Sequence, residues 1–116
     1  MKKKITIAID AMGGDNSPDK TINGVGLFLK KYNKNDDFIL KLYGDENKIT
    51  EKLNKYNVSS NLIEIIHTDS VVSDKETPIT AVKNSKNTSM WNSINAQIDG
   101  DADISLSAGN TGVLFV

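Results

Sequence analysis

The sequence predicts an α/β fold: a mainly parallel sheet with flanking helices. Three observations carry this. Short runs rich in Ile, Leu, Val and Phe alternate with longer stretches whose apolar residues recur at three- and four-residue spacings. Their order is strand, helix, strand, helix, strand, helix, strand, which implies parallel strands joined by right-handed crossovers. The two glycine-rich loops, "DAMGGD" and "SAGNTG", follow the first and fourth strands, where a parallel sheet collects its ligands.

The first strand is Ile5 to Ile9, an apolar run that reads as buried on both faces. Asp10 to Pro18 is a loop. Ser17 is the expected N-cap of the next helix and Pro18 its first residue. That helix runs to about Tyr32, with Ile22, Val25, Leu29 and Phe28 as its inward candidates. Phe38 to Tyr43 forms the second strand, stopped by Gly44. "GDENKITEKLNKY" gives a helix with Ile49, Leu53 and Tyr56 on one face. Leu62 to Ile66 is the third strand and Thr68 to Thr77 a polar loop. Pro78 opens a short helical stretch from Ile79 to Lys83. A second stretch, from Thr88 to Ile98, carries Met90, Trp91, Ile94 and Ile98 and is broken by "DGDAD". Ile104 to Leu106 is a short fourth strand, and Gly112 to Val116 begins a further helix.

A chain of 116 residues suffices for one small domain with a single core. Fourteen basic against fifteen acidic residues exclude a strong positive field of the kind that holds nucleic acid. The absence of cysteine removes disulfide and thiolate chemistry, and the single histidine, His67, removes a multi-histidine metal site within this chain. The apolar run after "MKKK" is too short for a signal peptide, and no segment approaches the roughly 18 apolar residues of a membrane helix, so a cytoplasmic location is expected.

The loops carry the chemistry. In "SAGNTG", Gly109 and Gly112 let backbone N–H groups approach a ligand, while Ser107, Asn110 and Thr111 add neutral hydrogen-bonding groups. The following helix would aim its positive end at the loop, which suits phosphate or another small anion. The competing reading is a tight strand-to-helix turn capped by Thr111 or Asn110. In "DAMGGD", Gly13 and Gly14 permit a sharp turn, while Asp10 and Asp15 could hold a cation, accept a proton or bond loop amides. A carboxylate repels phosphate, so Asp10 is expected to organise backbone N–H groups instead. Neither loop fits a Walker A or a dinucleotide glycine pattern. His67 is expected to be structural and Trp91 to lie in the core. Lys83 and Lys86 either face an anion or are surface lysines.

Taken in order, "IAIDAMGGDNSP", "YGDE", "P…A…K…SM" and "SAGNTG" resemble the phosphate acyltransferase family of bacterial phospholipid synthesis. The resemblance runs along almost the whole chain. It implies a fold like that of the phosphate acetyltransferase and isocitrate dehydrogenase group. It implies transfer of a fatty acyl group from acyl carrier protein to inorganic phosphate, giving acyl phosphate for a membrane glycerol-3-phosphate acyltransferase. It further implies a homodimer, peripheral to the membrane, with no cofactor and no metal. By the same resemblance Ser107, Gly109, Asn110, Thr111 and Gly112 would line the phosphate pocket. Asp10, Gly13, Gly14, Asp15, Lys83 and Lys86 would shape the cleft. In "PITAVKNSKNTSM", Asn84 and Ser85 stand at usually basic positions and Thr88 at a usual serine. The family's chains are much longer, so this one resembles an N-terminal fragment, truncated relative to the fold and expected to lack activity by itself. The alternatives are a catalytically inactive fragment, or another small-anion or nucleotide-binding α/β module.

Overall fold

A computed structural model describes residues 4–14, 16–32, 37–69 and 88–107. Within them the order is β1 (Ile5–Asp10), α1 (Asp19–Lys31), β2 (Phe38–Gly44), α2 (Glu46–Lys55), β3 (Ile63–His67), α3 (Ser89–Ile98) and β4 (Ile104–Leu106). The four strands form one sheet in the order β3-β2-β1-β4. Every neighbouring pair is parallel. The expected α/β architecture is therefore present. The helical stretch read at 79–83 and the one beginning at 112 lie outside the described residues.

Strand register sorts the side chains onto two faces. Ile7 is level with Leu40, Ile9 with Leu42, and these with Ile63 and Ile65. This face packs under α1 and α2, through Ile22, Val25 and Leu29 of the first and Ile49 of the second. The opposite face carries Ala8, Tyr43 and Ile66, packed with Ala96 of α3 and with Ala102. Small residues allow α3 to lie close to the sheet here. Its buried positions are Ser89, Met90, Ser93 and Ala96. The apolar spacing held for Met90, which is 1% exposed, and misjudged the rest: Ile98 is 75% exposed, and Trp91 and Ile94 are only half-buried. Close backbone approach selected small side chains at Ser89, Ser93 and Ala96, beside the one large buried residue, Met90.

Four other expectations are corrected. Ser17 does not cap α1. Its hydroxyl donates to the Gly13 carbonyl, the N-cap position falls on Pro18 without a side-chain bond, and the helix begins at Asp19. Tyr56 is not a core residue of α2. It sits at the C-cap, and its hydroxyl reaches out to Asp19. β1 is not buried throughout. Ile5 is 48% exposed, and Ile7 and Ile9 are half-buried, lining an open hollow between α1 and Leu106 of β4. Phe28, also expected inward, lies at the rim against Phe38 and Tyr32. Among the described residues no helix is long and apolar enough to cross a membrane.

Candidate functional site

The strand order places a reversal between β1 and β4. From β1 the chain moves outward to β2 and β3, then crosses back to add β4 on the other side of β1. At such a reversal the loops leaving the two strands that flank it diverge to opposite faces and open a crevice at the carboxyl edge. Both glycine loops start at this crevice.

Asp10 closes β1 and is only 2% exposed. One carboxylate oxygen, Oδ1, accepts the Met12 N–H at 3.1 Å and the Gly13 N–H at 3.0 Å. It also accepts the hydroxyl of Ser89, the first residue of α3. The other, Oδ2, accepts the Ser107 hydroxyl at 2.7 Å. Four donors thus satisfy a buried carboxylate, and the start of α3 adds favourable dipole ends near it. One side chain ties together the loop after β1, the N-terminus of α3 and the loop after β4. Asp10 is engaged with loop amides, in the Asx-turn manner.

The local sequence explains the rest of the β1 loop. Gly14 has φ +84°, a left-handed conformation in which a Cβ is strained. Asn16 has φ +59°, tolerated because asparagine enters this region more readily than most residues. Gly13 is buried, and its N–H serves Asp10. At α3, Thr88 is the N-cap, its Oγ1 accepting the Trp91 N–H at 3.1 Å.

His67 closes β3 on the same edge. Its Nδ1 accepts the Glu46 N–H at 3.1 Å, and its Nε2 lies 3.2 Å from Asp69. It therefore supplements Asp45, which caps α2 by accepting from Asn47 and Lys48. This is a structural use of histidine.

Of the residues singled out from sequence, Asp10, Gly13, Gly14 and Ser107 are brought to one place. Asp15, Lys83, Lys86, Gly109, Asn110, Thr111 and Gly112 lie outside the described residues. Sequence reasoning missed Ser89, whose polar side chain points to the sheet from the first turn of α3. The signal was a Thr-Ser pair opening a helix, where one hydroxyl caps and the other is left for tertiary use. A cleft of about 620 Å³ lies elsewhere, at the amino edge between Asn23, Gly26 and Lys30 of α1 and Tyr56 to Leu62. It has no glycine loop and is remote from Asp10.

With this geometry in hand, comparison with known proteins is informative. The fatty acid synthesis protein family matches residues 5–116. The chain is 44% identical, over its whole length, to a phosphate acyltransferase of Pelagibacter ubique (strain HTCC1062), covering 33% of that protein. It is 43% identical, over 99% of its length, to a phosphate acyltransferase of Streptococcus pneumoniae (strain Hungary19A-6), covering 32%. The chain thus spans about a third of the length of these curated relatives.

Proposed function

Because the chain belongs to the fatty acid synthesis protein family, we propose that it carries the phosphate-binding part of an acyltransferase of lipid synthesis. In this reading the enzyme moves a fatty acyl group from acyl carrier protein to inorganic phosphate and forms acyl phosphate. The observation that carries it is the Asp10 tie, which holds the β1 and β4 loops together at the strand reversal.

The chemistry follows from the loop composition. Phosphate sits against the amides and hydroxyls of the segment from Ser107 to Gly112. A phosphate oxygen attacks the thioester carbonyl, the carbon–sulfur bond breaks, and the departing thiolate takes up a proton. Phosphate is already a nucleophile, so positioning and stabilisation of the developing oxyanion do most of the work. Asp10, whose oxygens are occupied by donors, acts as a brace for the loops and leaves anion contact to neutral groups. Lys83 and Lys86 supply positive charge from the segment before α3. The intact enzyme is cytoplasmic, homodimeric and peripheral to the membrane, and it passes acyl phosphate to a membrane glycerol-3-phosphate acyltransferase.

A chimera tests this reading. The chain replaces the matching third of the Pelagibacter relative and is supplied with acyl carrier protein thioester and phosphate. Phosphate-dependent formation of acyl phosphate is expected. A folded chimera without that product, or a chain that binds ATP or NAD in preference to phosphate, overturns it.

A further inference from the structure

The cleft of about 620 Å³ at the amino edge takes no part in the acyl-transfer reading, and its walls are firmly tied. One wall is α1 and the other is the turn from α2 into β3. The Tyr56 hydroxyl donates to Asp19 at 2.8 Å, which fixes the ring. The Val58 N–H donates to the Leu53 carbonyl at 2.8 Å, and Ser60 Oγ accepts the Leu62 N–H at 3.0 Å. Gly26 brings α1 against this turn, since a Cβ there would meet Val58 Cγ2 at 2.9 Å. These bonds leave the side chains of Asn23, Asn57, Ser59 and Asn61, all lining the cleft, without a partner among the described residues. A wall held in place before the ligand arrives lowers the entropy cost of binding.

The lining selects the chemistry of what enters. No carboxylate faces the cleft, and Lys30 is the charged residue among those that do. Both α1 and α2 end here, at Lys31 and Lys55, and a helix C-terminus carries negative partial charge. An anion therefore meets two negative helix ends. A cation meets Lys30, with the Lys55 ammonium 5.3 Å from the Tyr56 ring centre. Neither sign gains, and a neutral ligand is left. Each asparagine offers two donors and an acceptor, which matches neighbouring hydroxyl groups that both donate and accept. The cleft also has apolar surface: Leu29 and Leu62 are buried beneath it, while Leu27 is 64% exposed at its rim. A sugar ring combines these two requirements, with hydroxyls around its edge and C–H groups on its faces. The volume lies within the usual range of small-molecule sites, roughly 300–1,000 Å³.

We propose that this cleft binds a neutral carbohydrate of one or two rings. The amides of Asn23, Asn57 and Asn61 hold its hydroxyls, and its C–H face lies against Leu27 and Tyr56. The site stands on the opposite edge of the sheet from Asp10 and does not depend on the acyltransferase reading.

The test uses the 116-residue chain, with glucose, maltose and inorganic sulfate as separate probes in NMR titrations. At least one of the two sugars is expected to give saturable shifts, centred on residues 23–30 and 56–62 and absent from Asp10 and Ser107. Asn23→Ala and Asn61→Ala, one on each wall and both at exposed positions, should each weaken sugar binding about threefold to tenfold, the worth of one hydrogen bond. Their urea midpoints should not fall. Asn47→Ala, an exposed asparagine at the other end of α2, should bind sugar as the unchanged chain does. The proposal is overturned if neither sugar gives saturable shifts, if the shifts fall outside the two walls, or if Asn47→Ala loses as much as the cleft variants. Sugar binding that survives both Asn23→Ala and Asn61→Ala overturns it as well. So does sulfate that displaces the sugar from the same residues, since the cleft would then be an anion site at Lys30.

Discussion

Ser107 donates its hydroxyl to Asp10 Oδ2 at 2.7 Å, across 97 residues of sequence. The bond joins the ends of β4 and β1, the two strands that flank the reversal. Ser89 completes the arrangement from α3. Removing the carboxylate leaves two hydroxyls and two loop amides without their acceptor. Each buried donor so orphaned costs about 1–3 kcal/mol. Asp10→Ala is therefore expected to lose on the order of 3 kcal/mol of stability in urea unfolding. Asp10→Asn should lose less, because one acceptor oxygen survives. A double-mutant cycle between Asp10→Asn and Ser107→Ala should show coupling of about 0.5–3 kcal/mol. Additive losses would mean that the two side chains merely lie near one another.

Gly44 sets the approach of the β1 loop to β2. A Cβ there would meet Met12 Cγ at 2.5 Å, Met12 Sδ at 2.9 Å and Ile49 Cδ1 at 3.0 Å. Gly44→Ala is expected to cost about 1–3 kcal/mol by overpacking. Met12 is flexible, so Met12→Ala in the same chain should recover part of the loss. Urea midpoints of the two single variants and the double variant decide this. A double variant as unstable as the sum of the singles would place the clash on Ile49 instead.

The acid limb of stability should depend on Asp19. The Tyr56 hydroxyl donates to its Oδ2 at 2.8 Å, and Lys52 and Lys55 lie at 3.2 and 3.6 Å. The Tyr56 hydrogen bond, with the lysines assisting and partial desolvation opposing, holds the Asp19 carboxyl below its usual value. A depressed folded-state value means that its contribution is present above about pH 4, the unfolded value, and is lost as pH falls through the lower folded one. Asp19→Asn should flatten the fall in urea midpoint as pH drops below about 4, relative to the unchanged chain. Identical pH profiles would show that the cluster does not contribute.

Asn110 bears the activity prediction. In a folded chimera with a relative's remaining two-thirds, Asn110→Ala should reduce phosphate-dependent acyl transfer on the order of 100-fold, the usual effect of losing one oxyanion donor. Near-normal turnover would reduce "SAGNTG" to a turn.

Much of the fold was legible because buried parallel strands announce themselves as apolar runs. "ITIAI" and "FILKLY" became β1 and β2 within a residue or so of their expected bounds. What sequence concealed was contact chosen by small size. Ser89, Ser93 and Ala96 join Met90 on the inner face of α3, while the more conspicuous Ile98 points outward. An apolar pattern records transfer from water, and close packing of backbone against backbone leaves little trace in it. Asp10 was readable as a loop organiser because an aspartate at the end of an apolar strand, before glycines, has nearby amides to bond. Its ties to Ser89 and Ser107 were not readable, since they depend on a crossover that returns the chain to the far side of β1. Ser17 misled for a related reason: its hydroxyl donates back to the Gly13 carbonyl and does not accept from the first amides of α1.

The outer strand yields the final prediction. β4 lies at the edge of the described sheet, paired only with β1 there. Ile104 and Leu106 are 45% and 53% exposed, on the α1 face. Beside them an apolar hollow of about 240 Å³ is lined by Ile7, Ile9, Val25, Phe28, Leu40 and Leu106, with Thr21 and Gly24 at its margin. An exposed apolar strip along a strand edge is a template for pairing with another chain. The 116-residue chain is therefore expected to self-associate in the micromolar range. Leu106→Lys and Ile104→Lys should each shift it toward monomer, by placing a charge on that strip. Leu27→Lys is the control, because Leu27 is exposed on α1 but lines the separate amino-edge cleft. Sedimentation velocity across a concentration series distinguishes the outcomes. Monomer at every concentration for the unchanged chain would defeat the prediction, and so would association reduced equally by all three lysines, since added charge alone would then account for the effect.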